Sequence, residues 1–168
     1  MAELILITGG CRSGKSAFAM KTAGKSRALY IATAEPLDCE MRLRIRNHKK
    51  QRPGSWTTVE EPVQVARAIR RSPAGTIIVD CLTLWVSNLL AKRKDFSESR
   101  AAKEAVRLAS ACGKGKVILV TNEVGLGIVP ADPQTRLYRD CLGRVNQVLA
   151  RRADKVFFMV SGIPVRVK

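Results

Sequence analysis

A chain of 168 residues, 46% of them hydrophobic, is long enough to bury a real core, and residues 1–168 are expected to form one domain. It carries 30 Lys and Arg against 14 Asp and Glu, a formal net charge of +16, and no run of 18 apolar residues that would span a membrane. The five cysteines are odd in number and form no C-x-x-C pair, which argues against a zinc site or a disulfide framework. With no basic-then-apolar leader before the first strand, a reducing cytoplasm is the expected compartment. The basic residues are spread along most of the chain and aromatics make up only 5%, so the excess charge reads as a solvated surface with a local anion site. Nucleic acid is not the expected partner.

Taken in order, apolar runs that suit buried strands occur at Glu3–Thr8, Ala28–Thr33, Thr76–Asp80, Lys116–Thr121 and Val156–Val160. Between them, helices are expected at Lys15–Ala23, Asp38–Lys50, Val63–Arg71, Leu82–Lys92, Ser99–Cys112 and Thr135–Ala153. Pro53-Gly54, Pro73-Ala74-Gly75 and Gly113-Lys114-Gly115 mark turns, and Lys92–Arg100 reads as an exposed connection. Strands alternating with helices predict an α/β fold, a doubly wound and mostly parallel sheet covered on both faces.

The first strand runs into Gly9-Gly10-Cys11-Arg12-Ser13-Gly14-Lys15-Ser16, which fits the phosphate-loop pattern G-x-x-x-x-G-K-[ST]. Glycines let backbone N–H groups turn inward as an anion nest, and the helix that follows points its positive end at the same place. Lys15 then reaches the outer phosphates, and the Ser16 hydroxyl can ligate Mg²⁺. In sheets of this kind ligands sit beyond the carboxyl ends of the strands. Asp80 ends the run Thr76–Val79, where a carboxylate holds Mg²⁺ directly or through water. Asn122-Glu123 occupies the matching position after Lys116–Thr121, and can either meet substrate or cap the segment that follows.

A second segment, Met41–Arg52, holds six Lys and Arg, no acid, and His48, the only histidine. On a helix Arg44 and His48 share a face, with Met41 and Ile45 on an adjacent apolar stripe. Neutral imidazole among phosphate-binding cations suits attack on an α-phosphate and temporary storage of a nucleotidyl group. A solvated basic helix with an incidental histidine is the plainer reading of the same residues.

The loop GGCRSGKS, the stretch LYIATAEPLDCEMRLRIRNHKKQRPGSWTTVEEP, the segment VTNEVGLGIVP, then GRVNQVLA and VSGIPVRVK follow one another in a single order. Together they resemble the adenosylcobinamide kinase/adenosylcobinamide-phosphate guanylyltransferase family of cobalamin biosynthesis, over essentially the whole chain. The resemblance implies a P-loop NTPase-like fold and two activities. ATP or GTP phosphorylates adenosylcobinamide, and GMP then passes from GTP to adenosylcobinamide phosphate through a guanylylated histidine, releasing pyrophosphate. It places the nucleotide loop on Gly9 through Ser16 and the guanylylated histidine on His48. Further guanine-nucleotide contacts fall on Ala32, Thr33 and Ala34, on Lys49, Lys50, Gln51 and Arg52, on Glu60, and on Asp80. It also implies a ring of three subunits. Two departures stand out: Asn47 where some relatives carry a second histidine, and Asp80 where some carry glutamate.

Two other classes compete on sequence alone. A small-molecule kinase with a single activity would use Lys15, Ser16 and Asp80 and leave His48 unmodified. A nucleic-acid-dependent NTPase would explain the charge, and would show turnover stimulated by DNA or RNA and steeply salt-dependent binding.

Overall fold

The computed structural model, which describes residues 2–24 and 26–168, gathers the apolar runs into one seven-stranded sheet. In chain order the elements are β1 (Glu3–Gly9), α1 (Lys15–Ala23), β2 (Leu29–Ala32), α2 (Cys39–Lys50), β3 (Thr57–Glu60), α3 (Val65–Arg71) and β4 (Thr76–Asp80). Then come α4 (Leu82–Lys92), α5 (Glu98–Ala111), β5 (Lys116–Val120), α6 (Pro133–Arg152), β6 (Lys155–Val160) and β7 (Ile163–Arg166). The strand order is β3-β2-β4-β5-β1-β6-β7, parallel throughout except for β7, which returns antiparallel along β6.

The central strands β1, β2, β4 and β5 are covered on both faces, which is why they read as near-continuous apolar runs. Leu4, Leu6, Ile31, Val79 and Leu119 pack on one face against α3, α4, α5 and α6. Ile5, Ile7, Tyr30, Ile78 and Ile118 face the other way, toward α1 and Trp56. The two layers are therefore unequal. α1 alone forms the helical cover on its side, while α2 covers neither face, since none of its residues is buried.

Local signals account for most boundaries. Asp38 caps α2 by accepting from Met41 N at 2.7 Å, and Asp132 caps α6 in the same way from Thr135 N, with Pro133 in the first turn. The helix expected from Val63 starts at Val65 instead. Glu61 Oε1 accepts from Val63 N and Gln64 N, which holds those residues in a turn after Pro62. Strands β3 and β7 are absent from the sequence reading. Both lie at sheet edges with every residue exposed, so neither carries the apolar run that marks a buried strand.

Candidate active site

The parallel register brings the candidate residues to one edge. Ile7 pairs with Val120, Val120 with Asp80, Asp80 with Ala32, and Ala32 with Glu60. These five residues form a row across the sheet near its carboxyl edge. The phosphate loop leaves β1 two residues beyond this row, and Thr33 and Ala34 continue from β2 in the same direction.

In the loop, Gly9 has φ 145° and a Cβ there would lie 2.6 Å from the Met159 carbonyl oxygen, so only glycine lets the turn pass β6. Arg12 and Gly14 also take positive φ, and Gly14 opens α1. Lys15 does not face solvent, as an accessible loop lysine would. It is 8% exposed, and Nζ donates to the Gly10 carbonyl at 2.5 Å and to Ser13 Oγ at 3.4 Å. The loop wraps over the side chain, and the Gly10 carbonyl supplies an acceptor within the same turn. Burial lowers the Lys15 pKa, opposed in part by Cys81, Cys11 and Asp80 nearby. Burial pushes the Cys81 thiol up to about 11, while Cys11 in the loop is exposed.

Asp80 stands opposite the loop. Its Oδ2 accepts from Ser16 Oγ at 3.2 Å and from the Tyr30 hydroxyl. A serine that gives its proton to the carboxylate keeps its lone pairs for a cation, so Ser16 and Asp80 fit a divalent ion shared with a nucleotide. Among the described residues no cluster of three or more His, Cys, Asp and Glu could hold a metal alone. Tyr30 is 2% exposed, and burial together with the Asp80 charge raises its pKa well above the ordinary phenol value, so it remains a proton donor. Thr33 Oγ1 accepts from Cys81 N at 2.8 Å and donates to Cys81 O at 2.7 Å, fixing the backbone just after Asp80. Asn88 Nδ2 ties the Thr33 carbonyl to that of Pro62, at 2.8 and 3.0 Å.

The basic helix meets this edge through its last turn. Lys49 pairs with Glu60, and the Arg52 guanidinium lies 3.8 Å from the centre of the Tyr30 ring. Arg52 Nη1 donates to Thr58 Oγ1 at 3.1 Å, while its buried Nε has no partner among the described residues. Lys50 and Gln51 are exposed. His48 is exposed as well, and no hydrogen bond or ion pair among the described residues links it to the phosphate loop. The structure thus joins Lys49, Arg52 and Glu60 to the sheet edge and leaves the histidine on an open helix.

On the α6 side, Glu123 N donates to the Gly9 carbonyl at 3.1 Å, and its Oε1 accepts from Gly125 N at 2.7 Å. The carboxylate therefore caps its own turn, as one of the two sequence readings has it. It also lines a cavity of about 760 Å³ with Thr8, Leu126, Arg139 and Asn146. Sequence reasoning missed Tyr30, Asn88 and Trp56. An aromatic within a buried strand, an asparagine in an apolar helix and a tryptophan after a turn give no individual sign that the first reaches Asp80, the second Thr33 and the third the ring of the first.

A glycine-rich loop between a parallel strand and its helix, answered by a carboxylate two strands away, defines a phosphate-loop nucleotide-using enzyme of α/β architecture. Residues 5–167 match the model of the family described as cobinamide kinase / cobinamide phosphate guanyltransferase, and the chain belongs to that family. It is 43% identical to the bifunctional adenosylcobalamin biosynthesis protein CobU of Escherichia coli, over 98% of this chain and 99% of that one. The CobU protein of Salmonella typhimurium is 42% identical, with the same coverage. The bifunctional adenosylcobalamin biosynthesis protein CobP of Pseudomonas aeruginosa is 43% identical, over 97% of this chain and 96% of its own length.

Proposed function

We propose that the whole chain acts as one kinase/guanylyltransferase domain. It phosphorylates adenosylcobinamide with ATP or GTP, then transfers GMP from GTP to adenosylcobinamide phosphate, giving adenosylcobinamide-GDP and pyrophosphate. The observation that carries this reading is the meeting of two cationic devices on one sheet edge. The phosphate loop meets Asp80 through Ser16, and the end of the His48 helix reaches Glu60 through Lys49 and Tyr30 through Arg52 just beyond it.

In the kinase step, loop amides and Lys15 hold the outer phosphates, and Ser16 and Asp80 serve the bound divalent cation, assigned as Mg²⁺. When bound, that ion would offset the charge of the phosphates. Ala32, Thr33 and Ala34 lie at the adjoining strand end, where a nucleotide's sugar and base extend from the loop. In the transfer step a neutral His48 nitrogen attacks the α-phosphorus of GTP. The P–N bond forms as the bond to pyrophosphate breaks, and pyrophosphate leaves with the electron pair. An oxygen of the substrate phosphate then attacks the same phosphorus and releases the imidazole. Lys49, Lys50 and Arg52 stabilise the charge that develops beside His48, and Gln51 and Glu60 add guanine-nucleotide contacts.

The test uses α-labelled GTP with Mg²⁺, followed by denaturing separation. Wild type carries the label through an acid-labile, base-stable bond, as a phosphoramidate does. His48→Asn carries none and makes no adenosylcobinamide-GDP, yet still phosphorylates adenosylcobinamide. A labelled variant removes His48 as the carrier. A wild type that is never labelled while its kinase activity is intact makes the protein a kinase of single activity. We also propose a homotrimer, supported by the family resemblance and by the exposed apolar side chains Val160, Ile163, Val165 and Val167 along the β6–β7 edge. Light scattering of the eluted protein measures the mass. The reducing cytoplasm is the proposed compartment, supported by five free cysteines and by the absence of any helix long and apolar enough to cross a membrane among the described residues.

A further inference from the structure

Tyr30 does more than fill the core under α1. It pairs with Ile78 across β2 and β4, and Asp80 lies two residues further along β4 on the same face. That diagonal separation is within reach of a tyrosine but of no shorter hydroxyl. A phenylalanine would fill the same apolar space between Trp56, whose ring centre is 6.4 Å away, and the strand beneath. The hydroxyl therefore needs its own account: it donates to Asp80, with the Arg52 guanidinium also beside it.

The two hydroxyl donors on Asp80 meet the same oxygen. Ser16 and Tyr30 both bond Oδ2, and no described residue donates to Oδ1. Two donors on one oxygen from different directions fix the plane of a carboxylate as well as its position. The free oxygen is then presented to the space beside the loop. The ring that carries the second donor is held in turn by Arg52, just after the helix that bears His48.

We propose that Tyr30 is a positioning residue for the nucleotide reactions: by holding Asp80 Oδ2 it aims Oδ1 at the cation that accompanies the phosphates, and its ring seats Arg52. This rests on the reading of Asp80 as the carboxylate that serves that cation.

The test is binding of Mn²⁺ to the full-length protein with a non-hydrolysable GTP analogue, followed by electron paramagnetic resonance of the free ion. Tyr30→Phe keeps the ring and its packing and removes one hydrogen bond to a charged group, so Mn²⁺ affinity falls about tenfold. Asp80→Asn also weakens binding, and adding Tyr30→Phe to it costs little more, because the hydroxyl acts through that carboxylate. Tyr30→Phe that folds and binds Mn²⁺ as wild type does, while Asp80→Asn loses affinity, overturns the positioning role alone. An unaltered affinity in Asp80→Asn overturns the reading beneath it. A second measurement does not depend on a variant of Tyr30. The chain has only two tyrosines. With 3-fluorotyrosine in both, and Tyr138→Phe to assign them, the Tyr30 fluorine resonance shifts when metal and nucleotide bind together and not with nucleotide alone. A resonance indifferent to the metal refutes the proposal.

Discussion

Replacing Lys15 by alanine tests the loop where its chemistry and its packing pull in opposite directions. The ammonium donates to the Gly10 carbonyl at 2.5 Å, and a hydrogen bond from a charged group contributes about 1.5–3 kcal/mol. Against this, Lys15 is only 8% exposed, and holding a charge there lowers its pKa. The two terms oppose each other, so the net loss of stability is about 1 kcal/mol, or about 2–4 °C in melting temperature for a chain of this size. Catalysis has no such compensation. The charge on the transferred phosphoryl group loses a main partner, and phosphorylation of adenosylcobinamide falls on the order of 10²–10³-fold. Circular dichroism melts and single-turnover transfer from γ-labelled nucleotide measure both. The lowered pKa adds a pH test with Lys15→Met. Between the lowered folded value and the ordinary value of 10.5 the unfolded chain binds more protons, so folding stability rises with pH. Wild type therefore gains on Lys15→Met as pH climbs toward 10.5. A folded alanine variant with near-normal kinase rates refutes the loop assignment, and a stability difference independent of pH refutes the buried charge.

Asp80→Asn keeps the shape and removes the charge beside Ser16, so kinase activity drops and the Mg²⁺ concentration for half-maximal rate rises; an unchanged metal titration moves the carboxylate role to Glu123 or Glu60. Asn88→Ala leaves the Thr33 and Pro62 carbonyls without their buried donor and costs about 2–3 kcal/mol, read by urea unfolding, whereas a loss near zero means water replaces the amide. Gly115→Ala places a Cβ 2.3 Å from the Gly75 carbonyl oxygen at φ 64°, and lowers the urea midpoint with activity per folded molecule retained. In thiol titration Cys11 and Cys39 react first, while the buried Cys112 and Cys141, whose pKa values burial pushes up to about 12 and about 11, react last; saturating GTP slows Cys11 and leaves Cys39 unaffected if the loop binds the nucleotide.

Where burial is double-sided, the sequence speaks plainly. β1, β4 and β5 are short apolar runs because both faces are covered, and the loop and Asp80 follow from where those runs end. β3 escapes notice for the opposite physical reason. Its residues Thr57-Thr58-Val59-Glu60 are all exposed, and only pairing with β2 makes them a strand. The burial of Lys15 is illegible because it depends on how the loop closes over the side chain. Tyr30 and Asn88 are illegible because each acts on a residue about 50 positions away, and only the register β2–β4 and the packing of α4 bring the partners together.

The same contrast bears on how one chain can serve two transfers. In α4 the side chains of Leu82, Trp85, Val86 and Leu89 are buried, and each fully buried large apolar side chain contributes about 1.5–3 kcal/mol. In α2 no side chain is buried. It is tied to the sheet by a half-exposed ion pair, Lys49–Glu60, worth a few tenths of a kcal/mol to about 1, and by Arg52 on Tyr30, worth about 0.5–2. The cap from Asp38 adds about 1 kcal/mol at its other end. Local opening follows the distribution of burial, so α2 is freed far more cheaply than any core helix. The phosphate loop is built the other way, pinned between β1, β6 and α1 by Gly9 and Gly14. A rigid cradle suits phosphoryl transfer, which depends on positioning. A nucleotide carrier must be loaded by one substrate and discharged by another, and a weakly held helix can change its approach to the site without disturbing the sheet that holds Asp80.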